Sequence, residues 1–210
     1  MQKVLSLRVI EHDCFNYPPK YICGIDVSYR KGNAIAAASL LNFPELKLVE
    51  YSIAHCIVDI PYIPGLLAFR ELRPCILAFK KLKTAPDVVL IDAHGRAHPR
   101  LFGLACHFGV VMDVPTIGVA KKKLCGQVMY DTRICESLNA YPIIYRGKVV
   151  GAALKVGKNK YLYVSIGHKV SLNTALKLVS MTVKHPLMPE PILLSLIHIS
   201  EPTRPLYISY

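Results

Sequence analysis

Between Tyr21 and Ile57 the chain carries three apolar runs of strand length, YICGIDVSY, AIAAASLL and LKLVEYSIAHCI, separated by turn-like residues at Gly32–Asn33 and around Pro44. Beyond Ile57 the pattern changes to helical and strand-like segments in alternation. A helix with apolar 3.6-residue spacing is predicted over 65–83, interrupted near Pro74, followed by a buried strand, DVVLID. PRLFGLACHFG reads as a helix with Pro99 in its first turn and Gly109 as its stop, and PTIGVAK as a short strand. YPIIYRGKVVGAAL and YLYVSIG read as a hairpin with an added strand, and NTALKLVSMTVKH as a helix. A short helix is also predicted over residues 2–13, ended by Pro18 and Pro19. An antiparallel meander followed by alternating helices and strands implies an α/β fold, a mixed sheet of antiparallel and parallel strands flanked by helices.

At 210 residues the chain reads as one domain that buries about 70% of its unfolded surface. Apolar residues make up 52% of it, which excludes a disordered chain. No apolar run approaches the ~18 residues of a membrane span, so no membrane partner is expected. The opening MQKVLSLRVIEHD lacks a signal-peptide pattern, so the expected compartment is the cytoplasm. Seven cysteines without a CxxC pair read as free thiols, with neither a disulfide framework nor a zinc knuckle. The formal charge of +12 points to a polyanionic partner such as nucleic acid. The expected oligomeric state is a monomer.

Three carboxylates interrupt these apolar elements. Glu71 shares a helical row with Leu67, Ala68 and Cys75, where a carboxylate needs either a basic partner or a metal. Asp26 lies mid-strand, on the face of Ile22, Gly24 and Ser28, and Asp92 follows a fully apolar strand at its carboxyl end. Asp26 and Asp92 are also explicable alone, as turn or capping residues. Together within ~4 Å, each like-charged pair would cost about 4 kcal/mol at an effective dielectric of 20, which calls for a cation or raised pKa values. Oxygen-only ligands favour Mg²⁺, with Mn²⁺ as a substitute. The loop DAHGRAHPR adds His94 and His98, which with Asp92 form an alternative metal set. A helix start after His98 would favour its neutral imidazole, suited to hold or deprotonate a water. Lys121 opens the run Lys121–Lys123 directly from a buried strand; such a run is usually a solvated face, but from this position it can instead aim its first lysine into a site. Tyr62, between Pro61 and Pro64, reads either as a ring held to stack on a base or as packed rim.

The blocks GIDVSY, PYIPGLLAFRE, DAHGRAHPR and PTIGVAKKKL, with VSIGH at 164–168 as a weaker fifth, resemble in their order the endonuclease V family of inosine-directed nucleases. The resemblance covers roughly residues 2–191. It implies a ribonuclease H-like fold, with Asp26, Glu71 and Asp92 as the metal-binding acids and His98 and Lys121 beside the scissile phosphate. It implies that Tyr62, with Pro61, Ile63 and Pro64 around it, fills the gap left by an everted base. Hypoxanthine would be read by main-chain groups around Gly65 and the Ala93–Gly95 loop. The implied substrate is inosine-containing DNA or RNA, cut at the second phosphodiester bond 3′ of the inosine. Two residues depart from the family pattern. Ala93 stands where the family has Gly, and Ile192 breaks the family's PEPTR motif after Pro189-Glu190-Pro191.

LSLIHISEPTR, Leu194 to Arg204, reads as translated sequencing-adapter sequence, so the domain is expected to span 1–193 and residues 194–210 to be a non-native tail. The other reading of ILLSLIHI is a C-terminal strand. Two functions compete with the nuclease: a phosphoesterase on small substrates using Asp92, His94 and His98, and an inosine-binding module impaired in catalysis by loss of its C-terminus.

Overall fold

The computed structural model describes residues 2–30, 33–57, 67–135, 137–184 and 188–200. Its elements are α1 (Gln2–Ser6), β1 (Tyr21–Arg30), β2 (Asn33–Asn42), β3 (Leu48–Ile57), α2 (Leu67–Phe79), β4 (Val88–Ile91), α3 (Leu104–Met112) and β5 (Thr116–Ala120), followed by β6 (Gln127–Val128), β7 (Ala140–Tyr145), β8 (Lys148–Gly157), β9 (Lys160–His168), α4 (Leu172–Thr182) and α5 (Glu190–Ser200). Among the described residues nine strands form one sheet in the order β3-β2-β1-β4-β5-β9-β8-β7-β6. β1, β2 and β3 are the expected antiparallel meander, β4 lies parallel to β1 and β5, and β9 runs antiparallel to β5. The mixed sheet predicted from the run pattern is the sheet observed.

Strand alternation sends Ile22 and Leu90 into a core shared with α4 and α5, and Cys23, Ile25, Val89 and Ile91 into a second core beneath α2 and α3. β4 and β5 are buried on both sides, which is why VVLI and TIGVA are continuous apolar runs. Among the described residues no helix is long and apolar enough to cross a membrane.

Several elements differ from their sequence reading. α1 ends at Ser6 because the next segment turns to β9: the Ile10 amide donates to His168 Nδ1 at 3.2 Å, and the Lys169 amide to the Ile10 carbonyl at 2.7 Å. α2 keeps Pro74 inside a continuous helix, although proline removes one helical hydrogen bond there. α3 begins at Leu104, five residues later than Pro99 suggested, since Leu101 takes φ 52° and Gly103 caps the helix in extended conformation. Gly109 lies within α3; a Cβ there would collide with Thr116 and His168, so its role is close packing. The helix stops instead at Asp113, φ 55°. ILLSLIHI is helical, as part of α5.

α5 is seated on β1 through Gly24, where an added Cβ would overlap the Pro191 carbonyl and stand 2.5 Å from the Ile192 nitrogen. Backbone cannot yield there as a side-chain tip would. Gly24→Ala is therefore expected to lift α5 and cost about 2–3 kcal/mol. A lower thermal midpoint, with earlier proteolysis inside α5, checks this; an unchanged midpoint would show that α5 does not seat there.

Candidate active site

The parallel register of β1 and β4 builds the site. Ile25 pairs with Ile91, and the Asp92 amide donates to the Ile25 carbonyl at 3.1 Å, so Asp26 of β1 and Asp92, the first residue after β4, stand side by side. Their charges interact. Burial, then Asp92, pushes the Asp26 carboxyl up from 3.8 to about 7. Burial likewise raises Asp92, opposed by Lys121, whose ammonium lies 3.6 Å from Asp92 Oδ2. Lys121 is the first residue after β5, and its side chain stays 53% exposed while reaching Asp92. By contrast Lys123 turns away, to the Gly126 carbonyl.

Glu71 projects from the buried stripe Ala68, Glu71, Cys75 and Ala78 of α2. It is 8% exposed, and among the described residues it has no ion pair. Tyr29, on the α2 side of β1, donates its hydroxyl to Glu71 Oε1 at 3.1 Å, and the Arg70 guanidinium lies 4.1 Å from the Tyr29 ring centre. Burial raises Glu71 from 4.5 to about 7; the Tyr29 hydroxyl opposes this, while the charges of Asp26 and Asp92 add to it. Of the two partners open to Glu71 in the sequence, a basic ion pair is absent among the described residues. Tyr29 and Arg70 were not foreseen. The available signal was the odd-numbered face of β1, which carries Ile25, Val27 and Tyr29 toward α2.

These donors fit a hard divalent cation. Asp26, Glu71 and Asp92 are oxygen donors in excess over Lys121, and all three hold protons more tightly than free carboxylates. Among the described residues no three His, Cys, Asp or Glu side chains stand close enough to enclose one ion.

The loop after Asp92 is tightly held. The Gly95 amide donates to Ser165 Oγ at 2.9 Å and its carbonyl accepts the Gly103 amide at 2.9 Å. A Cβ on Gly95 would collide with the Ile166 carbonyl, so glycine is required by close approach. Gly95 thus positions the loop, with its amide bonded to Ser165 and its carbonyl to the Gly103 amide. His98 is 5% exposed, and its Nδ1 accepts the Arg100 amide at 3.2 Å. In the neutral ring the proton then sits on Nε2. Because α3 starts only at Leu104, His98 is not at a helix N-terminus, and the dipole argument for it fails. His94 bonds to the Lys122 backbone, and its Nδ1 is buried without a described partner. Among the described residues neither histidine joins Asp92 in a three-residue metal set. A pocket of about 110 Å³ lies beside the loop, lined by Leu67, Ala68, Ala93, His94, His98 and Leu104 among others. Pro61, Tyr62, Ile63, Pro64 and Gly65 lie outside the described residues.

Comparison with solved structures places this architecture. Endonuclease V from Streptomyces avermitilis superposes with a TM-score of 0.84 at 33% identity, covering 97% of this chain and 92% of that one. Endonuclease V from Ciona intestinalis, solved with a 24mer DNA containing an inosine followed by a ribo-adenosine, gives 0.83 at 30% identity, covering 96% and 94%. The fold and site define a ribonuclease H-like hydrolase of phosphodiester bonds. The endonuclease V family model matches residues 3–196, and endonuclease V of Thermofilum pendens is 43% identical over 197 residues, 92% of this chain and 82% of that protein. The chain belongs to the endonuclease V family, metal-dependent nucleases of DNA repair.

Proposed function

We propose that this chain is a Mg²⁺-dependent endonuclease that recognises inosine in DNA or RNA and hydrolyses the second phosphodiester bond 3′ of it, with Mn²⁺ as a working substitute. The observation that carries the reading is the register of β1 and β4, which sets Asp26 beside Asp92 with Lys121 3.6 Å from the latter. Asp26 and Asp92 hold the ion, and Glu71 adds negative charge from the α2 side. The bound ion supplies charge neutralisation at the phosphate and a more acidic water. Lys121, already at the edge of the carboxylates, stabilises negative charge developing on the phosphate oxygens. His98, beside the scissile phosphate, orients a water or a phosphate oxygen. The apolar pocket at Ala93, His94 and His98 receives the everted base, whose extraction costs a few kcal/mol of stacking. Tyr62, with Pro61, Ile63, Pro64 and Gly65, fills the vacated stack. The methyl group of Ala93 narrows this pocket relative to the glycine of the family pattern. The inosine-containing DNA bound by the Ciona relative supports the choice of substrate.

The test is incubation with single-inosine DNA and RNA strands in Mg²⁺, with Asp92→Asn in parallel. The expected result is a single cut one bond beyond the inosine's 3′ neighbouring bond, leaving 3′-hydroxyl and 5′-phosphate ends and absent from the variant. Inosine-selective binding without a cut would assign the chain as a binding module, and cutting independent of inosine would overturn the base assignment. The DNA and RNA arms decide the substrate.

Residues 194–210 stay assigned, as part of the same proposal, to a non-native tail. Sequencing the source gene across the codon for Leu193 tests that assignment, with a continuous LSLIHISEPTR frame as the contrary result.

A further inference from the structure

Beyond the carboxylates, β7, β8 and β9 present a sheet face of unusual composition. Their buried side, with Leu154, Leu162 and Val164, packs in the core with Leu176 and Val179 of α4. The opposite side carries Tyr141, Tyr161 and Tyr163, each only half-buried. Tyr141 and Tyr163 both pair with Ala153, so two rings flank one small residue across three strands. Tyr161 pairs with the exposed Lys155. From the segment after β6, Tyr130 closes the group: its ring centre is 5.4 Å from that of Tyr141 and 5.6 Å from that of Tyr161, and Tyr141 and Tyr161 are 6.3 Å apart. Although it makes two ring contacts, Tyr130 remains 54% exposed.

The cluster connects to the catalytic end of the molecule. A concavity of about 330 Å³ is lined by Lys121, Asn159, Lys160, Tyr161, Leu162 and Tyr163 among others, so the lysine that reaches Asp92 also forms one wall of the tyrosine surface. Lys121, Lys155 and Lys160 frame the rings with positive charge. Aromatic rings framed by lysines match an unpaired polynucleotide, whose bases offer faces to stack and whose phosphates meet the ammonium groups. A duplex keeps its base faces covered, and the rings here lie at 57–65° to one another, unlike a flat wall for a stacked helix.

We propose that Tyr130, Tyr141, Tyr161 and Tyr163, with Lys121, Lys155 and Lys160, form a stacking platform for the single-stranded stretch of nucleic acid leading away from the catalytic site. The proposal rests on the nuclease reading of that site and extends it to how the flanking strand is held. It makes the protein sensitive to strand length outside the inosine itself.

The experiment uses the full chain with Asp92→Asn, so that substrate survives, and measures fluorescence anisotropy with labelled single-stranded DNA. Inosine strands with flanks of about 4 and about 16 nucleotides on each side are compared with adenosine controls. Longer flanks are expected to tighten binding about tenfold. Adding Tyr130→Ala and Tyr161→Ala together should abolish this gain, whereas Tyr130→Phe with Tyr161→Phe should retain it, since the ring face does the stacking. A thermal melt of each variant identifies any loss of fold, and the phenylalanine pair then carries the comparison through 2-aminopurine quenching in the flank. The proposal is overturned if flank length has no effect in the parent, if the alanine pair keeps the gain, or if flank 2-aminopurine is not quenched. An inosine preference with no flank effect would sink the platform alone. A flank effect lost in the alanine pair without inosine preference would sink the base assignment and leave the platform standing.

Discussion

Replacing Asp26 by Asn is expected to lower the rate of strand cleavage by about 10³-fold or more and, at the same time, to stabilise the metal-free protein. The stabilisation follows from burial. Asp26 is 9% exposed beside Asp92, and its carboxyl is pushed from 3.8 to about 7. Raising a carboxyl to that extent corresponds to about 4 kcal/mol of resistance to ionisation in the folded state. The folded protein therefore holds protons that the unfolded chain releases between about pH 4 and pH 7, and over that window metal-free stability falls as pH rises. Below the window the acids are neutral in both states and no penalty exists. Above it the penalty is fully present, and Asn removes Asp26's share, about 2–4 kcal/mol at about pH 8 and close to nothing at about pH 4. Added Mg²⁺ should raise the melting temperature of the parent at high pH and have little effect on the variant. Denaturant melts at both pH values, with and without Mg²⁺, measure all of this. A variant no more stable than the parent at high pH would mean that the carboxylates are solvated and that no cation is required. This conflict between folding and function is the form expected where a site concentrates like charges for a ligand to neutralise.

Gly118→Ala should produce the second large effect by a purely steric route. Gly118 lies in β5, paired with Ile91 and Ser165, directly beneath the loop that follows Asp92. A Cβ there would stand 2.5 Å from the Gly95 nitrogen, 2.6 Å from the Ala93 oxygen and 2.9 Å from the His94 carbonyl carbon. All three are backbone atoms, so the loop must rise, and the Gly95 hydrogen bond to Ser165 must lengthen or break. Overpacking of this kind costs about 1–3 kcal/mol. A displacement near 1 Å at a catalytic loop costs about 10²-fold in rate. The expected signature is a kcat reduced by that factor, with a folded circular dichroism spectrum and a moderately lowered Tm. Parent-level activity in Gly118→Ala would show that the loop is not positioned by its contact with β5.

The element types were legible locally. Alternation and helical spacing report burial along a single segment, so the three-strand meander, β4, β5, the β7–β8–β9 group and α4 are where the apolar periods predicted them. Boundaries governed by distant partners were less legible. α1 is shortened by His168 and Lys169, residues more than 150 positions away, and α3 starts late because Gly103 and Gly95 lock to each other across the loop. Gly109 looks like a helix stop in sequence, yet it and Gly95 are small because another backbone or side chain passes close by.

The sequence by itself determined the chemistry: Asp26, Glu71 and Asp92 as acidic breaks in apolar elements, a lysine at the end of a buried strand, and the ordered motifs that mark the family. Side-chain identity and short-range periodicity are enough for that. Only the tertiary structure decided that Ile25 pairs with Ile91 and so sets Asp26 beside Asp92, that Tyr29 holds Glu71, that Gly95 is committed internally, and that tyrosines from three separate segments of chain share one face with Lys121. These depend on strand register and close backbone approach between residues far apart in the chain, and no local pattern encodes such distances.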